Sequence, residues 1–228
     1  MAELANRDDY EERLQRALGK VGSAAIRRIL DALGNPPDIA NVPGELMQEI
    51  EREYGVALAS VLESVFIDSA EAAAAEAGIG FSWDVINREA ADWARQHATG
   101  LAHDLGVNSD RFLREALGDF FEQRIDNRTL TERIARIYGP KRAETVTITE
   151  ITRASAQGQQ AAIREIEASV REAGLRPVLY WNSANDSLVC PICGPRHGKR
   201  QGDGWTELPP AHARCRCGIR VEWEAIEP

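Results

Sequence analysis

Apolar residues recur at helical spacing through most of the chain. Between Tyr10 and Gly34 they repeat every three or four positions, on the face formed by Leu14, Leu18, Val21, Ala25 and Ile29. Gly34, with Pro36 and Pro37 behind it, predicts the end of this helix. The same spacing predicts a second helix from about Pro43 to Ala77. The pattern is therefore typical of amphipathic helices that bury one face.

Capping residues predict two further helices in the middle of the chain. Ser82 begins a helix that ends near Gly106. Asn108 or Ser109 begins the next helix, which runs to about Ile125. The first of these helices carries Ile86, Ala90 and Trp93, and we expect the helical part to pack through its apolar faces.

The last helical stretch contains an ambiguous segment. Thr129 and Glu132 form a predicted capping box for a short helix that ends at Gly139–Pro140. A long helix then runs from about Lys141 to Ala173. Within it, residues 144–152 alternate with β-branched side chains, as a strand would. Because the flanking residues favour a helix, we predict that the helix continues through this segment.

The C-terminal region has a different pattern. Residues 177–183 and 217–224 read as two strands that flank a glycine-rich segment. We place the boundary at Ala173 to Pro177, which gives a helical domain at 1–175 and a small module at 176–228. The predicted fold class is mainly α, a multi-helix N-terminal part with a small β-containing C-terminal zinc-binding module.

All four cysteines lie at 190–217, in a glycine-rich segment that ends where the second predicted strand begins. No signal peptide is recognisable, so we expect a reducing compartment, where clustered cysteines indicate a metal site more often than disulfides. A Cys-x2-Cys knuckle and a second knuckle can together fill a tetrahedral zinc site. Such a closed site is structural, because no position stays open for water. The candidate ligands are Cys190, Cys193, His212, Cys215 and Cys217, with the fourth position open between His212 and Cys217.

The cysteines fit a disulfide, free-thiol or redox role less well than a metal site. A disulfide pair in a secreted protein would need a signal peptide. Unrelated free thiols would be scattered along the chain. A thioredoxin-type redox motif would need a βαβ pattern around it. A zinc-dependent nuclease or hydrolase would need an open metal position, and His197 and Asp186 lie near enough in sequence to contribute. We therefore expect no enzymatic activity and keep the hydrolase as an alternative.

Charge is distributed unevenly along the chain. The net charge is −9, which argues against bulk, non-specific binding to DNA. The cysteine segment is locally basic, because its basic residues outnumber Asp203 and Glu207. These basic residues form either a solvated loop or a docking surface for an acidic partner or nucleic acid: Arg196, Lys199, Arg200, Arg214, Arg216 and Arg220.

The cysteine segment also carries a longer signature. A tryptophan is followed by an aspartate shortly before Cys-Pro-x-Cys, then by a glycine and by Pro-Pro-x-His-x2-Cys-Arg-Cys. The residues that match are Trp181, Asp186, Cys190, Pro191, Cys193, Gly198, Pro209, Pro210, His212, Cys215, Arg216 and Cys217. With the helical stretch before it, this segment resembles the phage Mu F-like minor head proteins, also called phage head morphogenesis proteins, over about residues 80–222.

The resemblance implies a low-copy structural protein of a tailed phage or prophage. Such a protein would associate with portal and capsid proteins, act in head assembly, DNA packaging or ejection, and reside in the virion after assembly in the bacterial cytoplasm. We expect no association with a membrane. Phage DNA is a possible partner, which would be contacted through Arg196, Lys199, Arg200, Arg214 and Arg216. A zinc-ribbon adaptor that binds nucleic acid remains a further alternative.

Overall fold

Helices form most of the structure, a computed structural model that describes residue 4 and residues 6–78, 82–184 and 188–226. In this part of the chain, five α-helices precede a two-stranded sheet. The helices are α1 (Arg7–Leu33), α2 (Gly44–Ala77), α3 (Trp83–Phe121), α4 (Asn127–Ile137) and α5 (Pro140–Glu172). The strands are β1 (Leu175–Asn182) and β2 (Gly218–Ala225). The predicted fold class, mainly α with a small β-containing C-terminal module, is confirmed.

The two predicted strands form an antiparallel pair. Trp181 in β1 lies opposite Ile219 in β2, and Pro177 lies opposite Trp223. The ambiguous residues 144–152 lie entirely inside α5, as predicted. Ile151 and Thr152 are fully buried there, so tertiary packing outweighs the preference of their β-branched side chains for a strand.

The predicted break at Asn108 and Ser109 is wrong, because α3 continues through both residues. The Asn108 amide donates to the carbonyl of Asp104 at 2.9 Å, and the Ser109 hydroxyl donates to that of Leu105 at 2.6 Å. Side chains that bond back to the preceding turn do not cap a new helix. One helix therefore replaces the two that the capping residues predicted.

The predicted capping box of α4 is also wrong. Asp126 is the N-cap, and its carboxylate accepts a hydrogen bond from the backbone N–H of Thr129 at 2.8 Å. Glu132 instead pairs with Arg128, one helical turn before it. Asp126 is an equally good capping residue and stands three positions earlier, which starts the helix sooner.

The described chain separates into two compact units. The first unit comprises Met1–Glu11, Leu62–Trp93 and Val146–Pro228, and the second comprises Glu12–Val61 and Ala94–Thr145. The second unit is built around a cluster of buried side chains that includes Ala25, Ile29, Leu33, Ile50, Leu113, Leu117, Leu130 and Ile134. The division into functional domains at residue 175 stays a prediction.

Close helix packing shapes the first unit. Phe66 and Ala70 of α2 pack against Ile86 and Ala90 of α3 and Ala161 and Ala162 of α5. At Gly158 a Cβ atom would overlap the backbone carbonyl of Phe66, so only glycine allows this approach. None of the described helices combines the length and the apolar composition needed to cross a membrane.

Candidate metal centre

Both cysteine knuckles lie in the loop that joins β1 to β2, within the first unit. The first knuckle is a tight turn in which the backbone N–H groups of Cys193 and Gly194 donate to the carbonyl of Cys190, at 3.2 and 3.0 Å. The Cys193 N–H also lies 3.4 Å from the Cys190 sulfur. This turn points two thiols to the same side of the loop, as a Cys-x2-Cys metal knuckle requires.

The sulfur and nitrogen atoms of both knuckles converge on Cys193. His212 Nε2 lies 3.0 Å from Cys190 Sγ and 3.2 Å from Cys193 Sγ. Cys215 Sγ lies 3.8 Å from Cys193 Sγ. Zinc–sulfur bonds of about 2.3 Å place two tetrahedral ligands about 3.8 Å apart, and a sulfur and a nitrogen about 3.5 Å apart. The sulfur–sulfur distance fits such a site, and the sulfur–nitrogen distances are somewhat shorter.

The tautomer of His212 suits metal binding. Its Nδ1 lies 2.8 Å from the carbonyl oxygen of Ala213, to which it donates a hydrogen bond. This bond leaves Nε2 directed at the thiols. A hydrogen bond from the second ring nitrogen commonly fixes the orientation of a metal-binding histidine. The residues present therefore fit a tetrahedral metal ion of the zinc type.

Five candidate atoms form two overlapping groups. The ligand atoms of Cys190, Cys193 and His212 lie within 4.8 Å of one another, and so do those of Cys193, Cys215 and Cys217. Cys193 belongs to both groups, so it is a candidate ligand whether the fourth position is taken by His212 or by Cys217. The structure thus brings together all five candidates that the spacing predicted, and the ligand set itself stays a prediction.

Burial and mutual hydrogen bonds separate the thiol pKa values. Desolvation raises the pKa of Cys193 to about 12. A hydrogen bond from the Cys217 thiol is the main cause that lowers the pKa of Cys215 to about 5, and the same bond raises the pKa of Cys217. These shifts favour the thiolate form of Cys215 over that of Cys193 and Cys217. A buried thiol such as Cys193 needs a nearby cation before its anionic form becomes favourable.

The pKa shifts of the two remaining candidates, Cys190 and His212, favour their charged forms. Desolvation opposes ionisation of Cys190, but hydrogen bonds from the backbone of Cys193 and Ile192 bring its pKa below the ordinary value. The hydrogen bond to the Ala213 carbonyl is the main cause that raises the pKa of His212. Without a metal, a histidinium beside thiolates would partly balance their charge.

An apolar shell surrounds the thiols. Cys193, Cys215 and Cys217 are buried together with Ile163 of α5 and with Trp181, Trp205 and Ile219. The rings of Trp181 and Trp205 meet edge to face, with centroids 5.3 Å apart. The Trp205 indole donates to the carbonyl of Lys199 at 2.8 Å, which holds the glycine-rich turn against the shell. Sequence reasoning missed Trp205, although a lone tryptophan in a polar loop is a usable signal.

Threonines of α5 anchor the second knuckle. The Thr152 hydroxyl donates to the carbonyl of Cys215 at 2.6 Å, and the Thr149 hydroxyl accepts from the backbone N–H of Arg214 at 2.8 Å. Arg7 also donates to the Thr152 hydroxyl at 2.8 Å. No sequence pattern indicates these contacts. Both threonines lie in residues 144–152, where the alternation of β-branched residues concerns only whether the segment is a helix or a strand.

His197, one of the two residues proposed for the hydrolase alternative, does not join the cluster. His197 Nδ1 accepts from the backbone N–H of Ser183 at 3.2 Å and lies 3.0 Å from its hydroxyl. Asp186 lies outside the described residues. Among the residues the structure describes, the groups able to hold a metal contain only cysteine and histidine.

The basic residues of the loop have unequal surroundings. Arg200 pairs with Glu224, and Arg220 pairs with Glu222. The Arg196 guanidinium lies 5.1 Å from the ring centre of Trp181. Lys199 and Arg214 are exposed, and Arg216 is half-buried. The positive charge predicted from the sequence is thus partly neutralised by acidic residues of β2.

Comparison with known proteins gave one match. Residues 117–220 match the model of the family described as Phage Mu protein F like protein. The matched range contains α5, β1 and all five candidate ligands, and it is narrower than the range of about 80–222 expected from the signature. The resemblance is confirmed over these residues, and it supports a phage head morphogenesis protein. Neither the curated proteins nor the solved structures yielded a match to this chain.

Proposed function

We propose that this chain is a minor head protein of a tailed phage or prophage, present in few copies at the portal vertex. The observation that carries the proposal is the family match, because it spans the helix α5 and the complete cysteine-histidine cluster. In this role the protein acts in head assembly, DNA packaging or ejection, through contacts with portal and capsid proteins.

The mechanism that we propose is binding and placement without covalent chemistry. The cluster offers five ligand atoms for four tetrahedral positions, so a zinc ion held there would retain no open position for water. The ion would supply folding free energy to the loop between β1 and β2, in addition to the apolar shell around the thiols. Thr149 and Thr152 then hold this loop on α5.

A rigid loop suits a docking role. Because the knuckles and the apolar shell fix the loop, it loses little conformational entropy when it meets a partner. Exposed basic side chains beside the knuckles, Lys199 and Arg214 among them, provide positive charge for an acidic partner or for phage DNA. The ion pairs of Arg200 and Arg220 reduce this charge, which favours a small contact over extended DNA binding.

Genetic removal tests the proposal. A stop codon early in the reading frame of the parent phage should lower the yield of infectious particles while the major head proteins are still synthesised. Plasmid-borne wild-type protein should restore the yield, whereas the Cys193→Ser variant should not. Normal yield without the protein, together with metal-dependent hydrolysis by the purified chain, would favour the hydrolase instead.

A further inference from the structure

A cavity in the second unit combines apolar and basic walls. It has a volume of about 530 Å³ and lies between α3, α4 and the first turn of α5. Phe112 and Ala116 of α3 and Ile137 of α4 give it an apolar wall. Phe112 keeps 42% of its surface exposed, so its ring is accessible to a partner. A volume of this size accommodates one or two side chains of a partner.

Arg142 gives the cavity a basic wall, and its hydrogen-bond partners among the described residues are all neutral. Its guanidinium donates to the Ser109 hydroxyl at 2.8 Å and to the carbonyls of Ile137 and Leu105 at 2.7 and 3.0 Å. All three acceptors are neutral, and no carboxylate pairs with Arg142 within the described ranges of the chain. A half-buried cation with only neutral partners is stabilised further when an anion approaches.

The two phenols next to Arg142 supply no negative charge at neutral pH. Burial is the main cause that lowers the pKa of Arg142, and burial also raises the pKa of the neighbouring Tyr54 to about 12. The pKa of Tyr138 is raised for the same reason. Both phenols are therefore neutral, so they do not compensate the guanidinium.

Two further arginines line the same cavity from α4. Arg136 is exposed and makes no ion pair or hydrogen bond with any residue that the structure describes. Arg133 pairs with Asp119 at 2.6 Å, so its charge is largely satisfied. Glu115 is the one acidic side chain among the described lining residues, and it lies 3.8 Å from Arg111. The cavity thus presents two cations, Arg136 and Arg142, that lack an acidic partner among the described residues.

We propose that this cavity is a docking site for an acidic peptide segment of a partner protein, with an apolar side chain next to a carboxylate. The carboxylate would meet Arg136 and Arg142, and the apolar side chain would lie on Phe112 and Ile137. Arginine suits this task because its planar fork binds a carboxylate through two parallel hydrogen bonds. The site is separate from the metal centre, and the proposal stands whether or not the protein acts in phage heads.

A peptide fits the cavity better than nucleic acid does. A nucleic-acid strand carries a phosphate at every nucleotide and needs a continuous basic track, whereas here the positive charge is confined to one cavity. Glu115 at the same cavity would repel the successive phosphates of a nucleic-acid backbone, whereas a peptide with a single carboxylate meets this repulsion only once. A single carboxylate with an apolar neighbour matches both kinds of wall.

Fluorescence anisotropy on the full-length protein tests the proposal. The probe is a fluorescein-labelled ten-residue peptide in which aspartate alternates with leucine, and the reference peptide has asparagine in place of aspartate. The wild-type protein should bind the aspartate peptide about ten-fold more tightly than the asparagine peptide at low salt. Arg136→Gln should weaken binding of the aspartate peptide by about the same factor. This variant should fold normally, because Arg136 is exposed and has no described partner.

Arg128→Gln is the matched control, because Arg128 is an exposed arginine on the same helix and lies outside the cavity. It should bind the aspartate peptide within about two-fold of the wild type. Equal affinity of the Arg136 and Arg128 variants would overturn the proposal, as would equal binding of the two peptides. Tighter binding of a labelled twelve-nucleotide DNA strand, with loss of that binding in Arg136→Gln, would assign the cavity to nucleic acid and also overturn it.

Discussion

The hydroxyl of Thr152 donates a hydrogen bond of 2.6 Å to the backbone carbonyl of Cys215. Both residues are buried, and 63 positions separate them in the sequence. The bond joins the middle of α5 to the second knuckle, which contains the candidate ligands Cys215 and Cys217. Because Arg7 donates to the same hydroxyl, the contact also includes the start of α1. One threonine therefore joins three segments of the first unit.

Thr152→Val should destabilise the protein by about 1–3 kcal/mol, because a buried carbonyl and a guanidinium both lose a partner while the side-chain volume is kept. Urea denaturation followed by circular dichroism measures this change. Thr131→Val is the control, since the exposed Thr131 hydroxyl bonds only within its own helix, to the carbonyl of Asn127. The control should change stability by less than about 0.5 kcal/mol. Equal effects of the two substitutions would show that the bond to Cys215 contributes nothing.

Cys193→Ser should abolish metal binding, because Cys193 belongs to both groups of candidate ligands. Wild-type protein purified without added metal should contain about one zinc ion per chain by elemental analysis. In the variant, limited proteolysis should cut the chain after about Arg176, while the helical circular dichroism signal is largely kept. Wild-type protein with less than about half an equivalent of metal and four freely reactive thiols would contradict the metal centre.

The two histidines of the loop distinguish the ligand set. His212→Ala should weaken zinc retention during dialysis against a competing chelator, because Nε2 of His212 faces two thiols. His197→Ala should retain zinc as the wild type does, since His197 bonds to Ser183 outside the cluster. Cys217→Ser should also retain the metal if His212 is the fourth ligand. Loss of zinc from Cys217→Ser, with retention in His212→Ala, would assign the fourth position to Cys217.

Gly158→Ala should destabilise the protein by about 1–3 kcal/mol or more, because the added methyl group would overlap the Phe66 carbonyl. Gly100→Ala is the matched control on a helix, as a Cβ there meets nothing within 4 Å. The control should stabilise by up to about 1 kcal/mol, since alanine favours a helix more than glycine does. Thermal unfolding of both variants measures the difference. A stabilised Gly158→Ala variant would show that α2 and α5 do not approach closely at this point.

The helical part of the fold could be predicted because one period governs it. Leu14, Leu18, Ala25 and Ile29 recur at helical spacing, and all four are buried. The errors arose where a short polar side chain had two possible partners. Ser109 bonds back into its own helix, and Asp126 takes the capping role expected of Thr129. Which hydrogen bond such a side chain forms depends on the local backbone geometry, and the spacing of residues in the sequence does not reveal that geometry.

The candidate site was predictable only as far as its ligands. Cys-x2-Cys spacing and the expected reducing environment were enough to indicate five ligand residues. The anchors of the loop were not predictable, because Thr149 and Thr152 act on residues more than 60 positions away and have no distinctive neighbours. The arginine-lined cavity of the second unit was missed for the same reason, since Arg136 and Arg142 flank a helix break that carried no chemical signal.

Quantitative mass spectrometry of purified phage particles tests the proposed head function most directly. Peptides of this chain are counted against peptides of the major capsid protein, in particles washed with high salt to remove loosely bound material. The proposal predicts that the protein is retained in the particles at a small fraction of the capsid protein, because a portal vertex occurs once per head. Absence from washed particles, although the protein accumulates in infected cells, would contradict it.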